Sequence, residues 1–357
     1  MRNTEPASGS ICILPRLKGL GGPASFAGRL TTALQKRGWQ VVSDPLAPGV
    51  RSLLIMGGTR RLDVVWRARQ RGVHVVQRLN GMNWVQRKLP TGARHFIKAE
   101  IANWILATTR RFLAHHIIYQ SRFTQDWWQT VFGAVRAPGR VIYNGVDLQT
   151  FTPSGPQRPP DDRLRILMVE AHLGGGMEPG LENAVRLLQR LNQATPAPGS
   201  ASPLPQVGWE LQVVGDVPEE MRARWTARAG AGLEFSGVAA REQVPALDRA
   251  AHLLFSADLN AACPNSVVEA LACGLPVLAF ATGALPEMVT GDAGRVVPYG
   301  SNFWNLEPPV MAPLAAAARE IAAGQAVFRP AARARAEQAF NIEHIVTEYL
   351  EVLLRQH

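Results

Sequence analysis

Glu269 stands in a run whose residue types and spacing suit ligand binding, Cys263-Pro264-Asn265-Ser266-Val267-Val268-Glu269-Ala270-Leu271-Ala272-Cys273-Gly274-Leu275-Pro276-Val277. The run reads as loop, helix, turn and strand. Asn265 or Ser266 is the expected helix cap, because a short side-chain oxygen accepts from a free first-turn N–H. Val267, Val268, Leu271 and Ala272 recur at helical spacing and give the helix its apolar face. Gly274 falls just past the end, where a left-handed residue is favoured. Residues 277–280 then form a short apolar strand of the buried parallel kind. First-turn N–H groups attract anions. A carboxylate one turn further on can accept from hydroxyls of the same ligand. Phosphate against the backbone of Pro264, Asn265 and Ser266, with a ribose at Glu269, is the pairing this pattern suggests. On spacing alone, a solvated helix glutamate is the plain alternative.

These residues, with Thr282-Gly283-Ala284-Leu285-Pro286-Glu287-Met288-Val289 after them, resemble the donor-site signature of family 4 glycosyltransferases. The resemblance implies retaining sugar transfer from a nucleotide-sugar and the α/β GT-B architecture. That architecture has two Rossmann-like, doubly wound domains facing a cleft, with a C-terminal helix crossing back onto the first. It also implies that Glu269 holds the donor ribose and that the loop before it faces the donor sugar and phosphate. The chain departs from the pattern in three places. The family has two glutamates with seven residues between them, and Ala261 occupies the first position. The family's donor-phosphate arginine and lysine fall at His172 and at Pro179, followed by Gly180. His172 is expected to act in the arginine's place, and Gly174-Gly175-Gly176 offers backbone N–H groups to phosphate instead.

Two α/β halves must position these groups. Strand 11–14 runs through a glycine loop into a helix carrying Phe26, Leu30 and Leu34, and then into strand 40–42. This is the unit of a doubly wound domain. By the resemblance, Gly21 and Gly22 approach the donor phosphate. Further strands are expected at 53–56 and 73–79. The second ends in Arg78-Leu79-Asn80-Gly81, where many family members have Arg-Leu-Asp-Gly. Asn80 can hydrogen-bond an acceptor but cannot take its proton. Asn80 and His172 are the expected catalytic residues, and Arg78 and Asn144 are expected on the acceptor side. Ser121 should cap a helix over 123–132. Residues 84–116 place Trp84, Phe96, Ile97, Ile101 and Trp104 among Arg87, Lys88, Arg94 and Lys98. That mixture suits the interface of an anionic bilayer. It equally suits an ordinary helix packed on the sheet.

The second half opens after a Pro-rich linker at 152–163. Strands are expected at 164–170, 211–216, 233–237 and 253–256, with helices at 181–191, 243–251 and 342–354. A Pro/Ala/Ser loop at 194–206 is expected to be mobile. The expected domains are 1–155 on the acceptor side, 156–335 on the donor side, and a returning helix at 336–357.

Composition bounds the rest. A chain of 357 residues that is 46% hydrophobic has room for two cores. Its net charge of +10 is uneven. Residues 1–155 hold 22 Lys and Arg against 6 Asp and Glu, and residues 156–357 hold 16 against 22. The first half therefore suits an anionic partner, either a membrane surface or nucleic acid, or is simply an arginine-rich surface. Cys12, Cys263 and Cys273 lack paired metal spacing and fit a reduced compartment. No apolar run is long enough to cross a bilayer, so the expected location is cytoplasmic, peripheral on the inner face of the plasma membrane. Asp-x-Asp, His-Glu-x-x-His and P-loop patterns are absent, so no metal and no cofactor is expected, and the nucleotide-sugar is a substrate. The expected function is retaining transfer of a sugar to a glycan or lipid-linked acceptor, in cell-envelope or exopolysaccharide synthesis. One alternative is a non-catalytic glycosyltransferase-like binding protein, suggested by Ala261, His172 and Pro179. A nucleic-acid-binding α/β protein is the other, but it lacks a recognised motif.

Overall fold

In the computed structural model the chain folds as two compact units, Met1–Asp147 with Phe340–His357, and Leu148–Ala339. The structure describes residues 9–16, 19, 21–174, 178–193 and 207–355. The loop at 194–206 and the glycines at 175 and 176 lie outside the described residues.

The first unit runs β1 (Ser10–Leu14), α1 (Gly22–Lys36), β2 (Gln40–Val42), β3 (Val50–Met56), α2 (Leu62–Gln70), β4 (His74–Leu79), α3 (Ala93–Thr108), β5 (His116–Tyr119), α4 (Arg122–Phe132) and β6 (Gly139–Val141). The second runs β7 (Leu164–His172), α5 (Glu178–Gln193), β8 (Trp209–Asp216), α6 (Glu219–Ala229), β9 (Leu233–Gly237), α7 (Val244–Arg249), β10 (Leu253–Ser256), α8 (Asn265–Ala272), β11 (Val277–Phe280), α9 (Leu285–Met288), β12 (Gly294–Val297), α10 (Met311–Ala323) and α11 (Gln325–Ala339). Helix α12 (Ile342–Leu353) closes the chain and belongs to the first unit.

Each unit has one six-stranded parallel sheet, ordered β2-β1-β3-β4-β5-β6 in the first and β12-β11-β10-β7-β8-β9 in the second. Helices cover both faces of such a sheet, so its inner strands are buried along their length rather than on alternate residues. β1, β4 and β10 are buried end to end. In the second sheet the strand order reverses between β7 and β10. Ligands of doubly wound folds bind beyond the carboxyl ends of the strands at such a reversal. Glu170 and His172 end β7, and Asp258 follows β10.

α12 completes the first unit as expected for a returning C-terminal helix. Its Ile342, Ile345, Val346, Tyr349, Val352 and Leu353 pack with Phe26, Leu30 and Leu34 of α1 over one face of the sheet. Asn341 caps it by accepting from the Glu343 N–H at 3.0 Å. The Ser52 hydroxyl donates to the Leu353 carbonyl, and Arg140 pairs with Glu351 at 2.6 Å.

Some expected bounds shift. The strand expected from residue 53 begins at Val50, and the helix expected over 243–251 shortens to α7, entered through a 3-10 turn at Arg241–Gln243. Ser121 caps α4 as expected, accepting from the Thr124 N–H at 3.1 Å.

Leu353→Ala should lower stability by about 2–5 kcal/mol, the range for truncating a fully buried leucine. Val327→Ala, at an exposed position, should change it by less than about 0.5 kcal/mol. Urea unfolding followed by circular dichroism measures both. Equal, small changes would mean that α12 does not support the first unit.

Candidate functional site

The N-cap of α8 falls one residue before the expected Asn265. Pro264 occupies the N-cap position with extended backbone, and no side-chain hydrogen bond caps the helix. The proline ring fixes φ near the value seen, −68°. It brings no side-chain acceptor, so neither Asn265 nor Ser266 serves as cap. First-turn N–H groups have no acceptor inside their own helix, and Pro264 offers them none from its side chain. Gly274 ends the helix at φ +69°, the left-handed value its position called for.

Glu269 lies one turn into α8 and is buried, 7% exposed. Asp248 of α7 is buried close to it. Burial, and then the Glu269 carboxylate, push Asp248 well above the usual carboxylate range.

The strand ends beside α8 are acidic. Burial, with the Asp258 carboxylate adding, pushes Glu170 up to about 8. Burial pushes Asp258 up to about 7. Both therefore hold protons close to neutral pH. His172 ends β7 with its Nδ1 2.8 Å from a carboxylate oxygen of Asp216, which ends β8. The other edge of the ring lies over Gly174, where an added Cβ would come within 2.5 Å of Nε2. Gly180 explains why glycine follows Pro179: a Cβ there would come 2.7 Å from the Ala257 carbonyl. Its absence lets the start of α5 approach the end of β10.

In the first unit, Gly21 is the N-cap of α1 and Gly22 its first residue. A Cβ at Gly21 would meet nothing within 4 Å, so this helix start is open. Asn80 follows β4, and its Oδ1 lies 3.3 Å from where a Cβ on Gly57 would sit. The Asn80 carbonyl accepts from the Trp128 indole at 2.8 Å. Arg78 is only 2% exposed. Its guanidinium donates to the Asn144 side-chain oxygen at 2.5 Å and to the Tyr349 hydroxyl at 3.1 Å, and lies 4.5 Å from the Phe26 ring centroid. The structure thus joins Arg78 to Asn144, while Gly21, Gly22 and Asn80 stand at strand ends of the same unit. Glu269, Pro264, Asn265, Ser266 and His172 belong to the other unit.

α3 reverses the usual helix pattern. It buries Ala99, Asn103 and Leu106 and exposes Phe96, Ile97, Ile101 and Trp104, the last at 63%; Phe112 beyond it is 64% exposed. Ile97, Ile101 and Trp104 share one face by their spacing of four and three. The buried Asn103 explains the orientation. Its Oδ1 accepts from the Asn83 N–H at 2.9 Å, and its amide donates to the Asn83 carbonyl at 2.8 Å. The acid of the helix, Glu100, is held by both arms of Arg87, which lower it to about 2. Arg94, Lys98 and Arg111 remain exposed around the apolar face.

Glu170, Asp258, Asp216 and Asp248 were not singled out from sequence. The signal for the first two was present, as polar residues closing apolar strands at the reversal of strand order. Asp216 and Asp248 come near His172 and Glu269 only through tertiary packing. Among the described residues no group of three or more His, Cys, Asp and Glu could hold a metal ion. Among them, too, no helix is long and apolar enough to cross a membrane.

Residues 180–303 match the family model described as glycosyl transferases group 1. Over this stretch the chain is similar to the group 1 glycosyltransferases. The stretch contains α8, Glu269 and the acidic end of β10. No curated protein matches the chain. Solved structures match its fold across nearly its whole length. HepE of Anabaena, crystallised with UDP-glucose, is 18% identical with a TM-score of 0.68, covering 96% of this chain and 99% of that one. Sucrose-phosphate synthase of Thermosynechococcus elongatus is 18% identical with a TM-score of 0.73, covering 96% and 98%. WaaG, a glycosyltransferase involved in lipopolysaccharide biosynthesis, is 13% identical with a TM-score of 0.67, covering 97% and 100%. The two parallel sheets with flanking helices are the Rossmann-like pair of the GT-B fold.

A raised carboxyl in the folded protein holds a proton that the unfolded chain has released. Its stabilising contribution is complete below the ordinary value of 4.5 and disappears as pH rises through about 8 for Glu170. Glu170→Gln should therefore melt increasingly above wild type as pH is raised from 5 to 9. Differential scanning calorimetry at several pH values reads this. A constant offset between the two proteins would mean that Glu170 ionises in its ordinary range.

Proposed function

We propose that the protein is a retaining family 4 glycosyltransferase that takes its sugar from a nucleotide-sugar bound at the carboxyl ends of β7, β8 and β10. The observation that carries this reading is the start of α8 behind a proline N-cap, with the buried Glu269 one turn further on, inside the stretch that matches the group 1 model. The donor diphosphate sits on the first-turn N–H groups of Asn265, Ser266 and Val267, where the helix dipole favours negative charge. Glu269 accepts from the ribose hydroxyls. As the bond to the sugar breaks, charge grows on the leaving diphosphate. Fixed backbone donors stabilise it there without reorganising. His172, steadied by Asp216, supplies a further donor to the phosphates where a fixed cation is absent. The protonated Glu170 and Asp258 spare the diphosphate two negative neighbours. No step in this scheme is assigned to a metal.

The first unit takes the acceptor. Asn80 orients an acceptor hydroxyl by hydrogen bonding. Arg78 and Asn144, joined to each other, set the shape of that region, and Gly21 and Gly22 leave the start of α1 open to phosphate. The acceptor we infer is a glycan or lipid-linked saccharide at an anionic membrane surface. The exposed face of α3 supports this: Ile97, Ile101 and Trp104 are ringed by Arg94, Lys98 and Arg111, with the local acid neutralised. Such a face enters the interface apolar side first while its cations meet anionic headgroups. The pathway this fits is cell-envelope or exopolysaccharide synthesis. A binding-only role is favoured by the lack of a lysine or arginine at positions 172 and 179. Release of nucleoside diphosphate from a nucleotide-sugar with added acceptor separates the two, because a binding protein gives none.

Glu269→Ala should weaken nucleotide-sugar binding by about 1.5–3 kcal/mol, the range for hydrogen bonds to a charged group. Titration calorimetry with UDP-glucose, GDP-mannose and ADP-glucose measures it. Unchanged affinity in a folded variant would remove Glu269 from the site.

Wild type should sediment with vesicles containing phosphatidylglycerol and far less with phosphatidylcholine alone. Arg94→Glu with Lys98→Glu should lower that binding about tenfold or more. Wild type remaining in the supernatant at low salt would refute the membrane assignment.

A further inference from the structure

Asn260 is the least satisfied polar residue at the donor end of the second sheet. It is 4% exposed, and both its side-chain oxygen and its side-chain nitrogen lack a hydrogen-bond partner. Its backbone lies at φ +64°, the left-handed region that asparagine tolerates better than most residues but glycine prefers. It sits in the loop between the end of β10 and the start of α8, two residues from Asp258 and five from Asn265. The loop is clamped. Ala284 donates to the Ala261 carbonyl at 2.9 Å. A Cβ on Gly283, itself at φ +57°, would come within 2.6 Å of the Ala261 backbone and 2.8 Å of the Asn260 carbonyl carbon. Asn260 therefore has no slack with which to turn its amide out to water. Ala261 beside it brings no polar group.

A buried amide with neither end paired costs stability, and folded proteins leave few of them. What pairs it must both donate and accept, because a carboxamide carries N–H donors and a carbonyl acceptor together. Phosphate offers acceptors alone. Neighbouring hydroxyls of a sugar ring offer both. Among the described residues, the carboxyl ends of β7, β8 and β10 contribute Glu170, Asp216 and Asp258 and no lysine or arginine, so an acidic sugar has no counter-charge from them and a neutral one needs none.

We propose that Asn260 is a specificity-determining residue of the donor site, pairing its carboxamide with two adjacent hydroxyls of a neutral hexosyl group. This rests on the reading of the second unit as a nucleotide-sugar site. It adds the residue that separates the nucleotide-sugar from the bare nucleotide.

The test compares UDP with UDP-glucose, GDP with GDP-mannose and ADP with ADP-glucose by titration calorimetry. Wild type, Asn260→Gly and Asn260→Asp are measured, with melting temperatures of the free proteins. Glycine keeps the left-handed backbone and removes only the amide. For the pair that wild type binds, Asn260→Gly should hold the nucleoside diphosphate with wild-type affinity. It should lose at least fivefold toward the nucleotide-sugar. The free variant should melt no lower than wild type, since the amide it lacks had no partner. Asn260→Asp keeps acceptors and loses the donors, and should lose affinity for the sugar-bearing ligand alone. Undiminished preference of Asn260→Gly for the nucleotide-sugar would overturn this inference while leaving the donor site intact, the amide then binding water only. A lower melting temperature with unchanged binding would assign Asn260 a purely structural role and overturn it likewise. Failure of wild type to bind any of the six ligands would overturn the donor-site reading, and this inference with it.

Discussion

A helix whose N-cap is a proline, at the reversal point of a parallel sheet, is the constraint on which the second unit depends. Its first-turn N–H groups need acceptors, and Pro264 gives them none from its side chain. β10 and β11 fix α8 from either side through parallel pairing, so the helix start cannot retreat into the protein. Gly180 and Gly283 matter for the same reason. Each occupies a spot where a Cβ would strike the backbone of the loop leaving β10. The small residues pack this loop tightly enough to hold its donors in place before any ligand arrives, which is what electrostatic stabilisation of a leaving group requires.

The charge balance of the same region is unusual for a site that would receive a diphosphate. Its strand ends carry Glu170, Asp216 and Asp258, with His172 the one candidate cation among them. Proton uptake resolves part of the conflict. Burial keeps Glu170 and Asp258 protonated toward neutrality, so both can donate hydrogen bonds instead of repelling phosphate. Deeper in, burial and the Glu269 carboxylate push Asp248 well above the usual carboxylate range. In the first unit the opposite logic holds. Arg78 is buried without a carboxylate among its bonding partners, its charge spread over Asn144, Tyr349 and the face of Phe26.

Much of the fold could be read from the chain. Apolar runs of four to eight residues, broken by glycine and by helical spacing, gave both doubly wound sheets, and Ser121 and Gly274 marked helix ends correctly because their mechanisms are local. The cap of α8 was misread because Asn265 and Ser266 both have good capping side chains, and the proline before them took the position. The orientation of α3 was open because its apolar stripe is wide. Asn103, which turns that stripe outward by bonding to the Asn83 backbone, declares itself only when residues twenty apart meet. The same holds for the site. Glu269 and its loop were visible as a motif, whereas the acids that surround it come from separate strands and helices. Asn260 was invisible for a different reason: nothing in a sequence tells which amide ends up buried without a partner.

The central claim is that the start of α8 and the ends of β7 and β10 bind the diphosphate of a nucleotide. Hydrogen–deuterium exchange of the whole protein, with and without UDP, GDP or ADP, reads the relevant amides directly. With the nucleotide that binds, exchange should slow in peptides spanning residues 258–270, where the first-turn N–H groups would gain phosphate acceptors. Slowing confined to the first unit, or no change in those peptides with any of the three nucleotides, would contradict it.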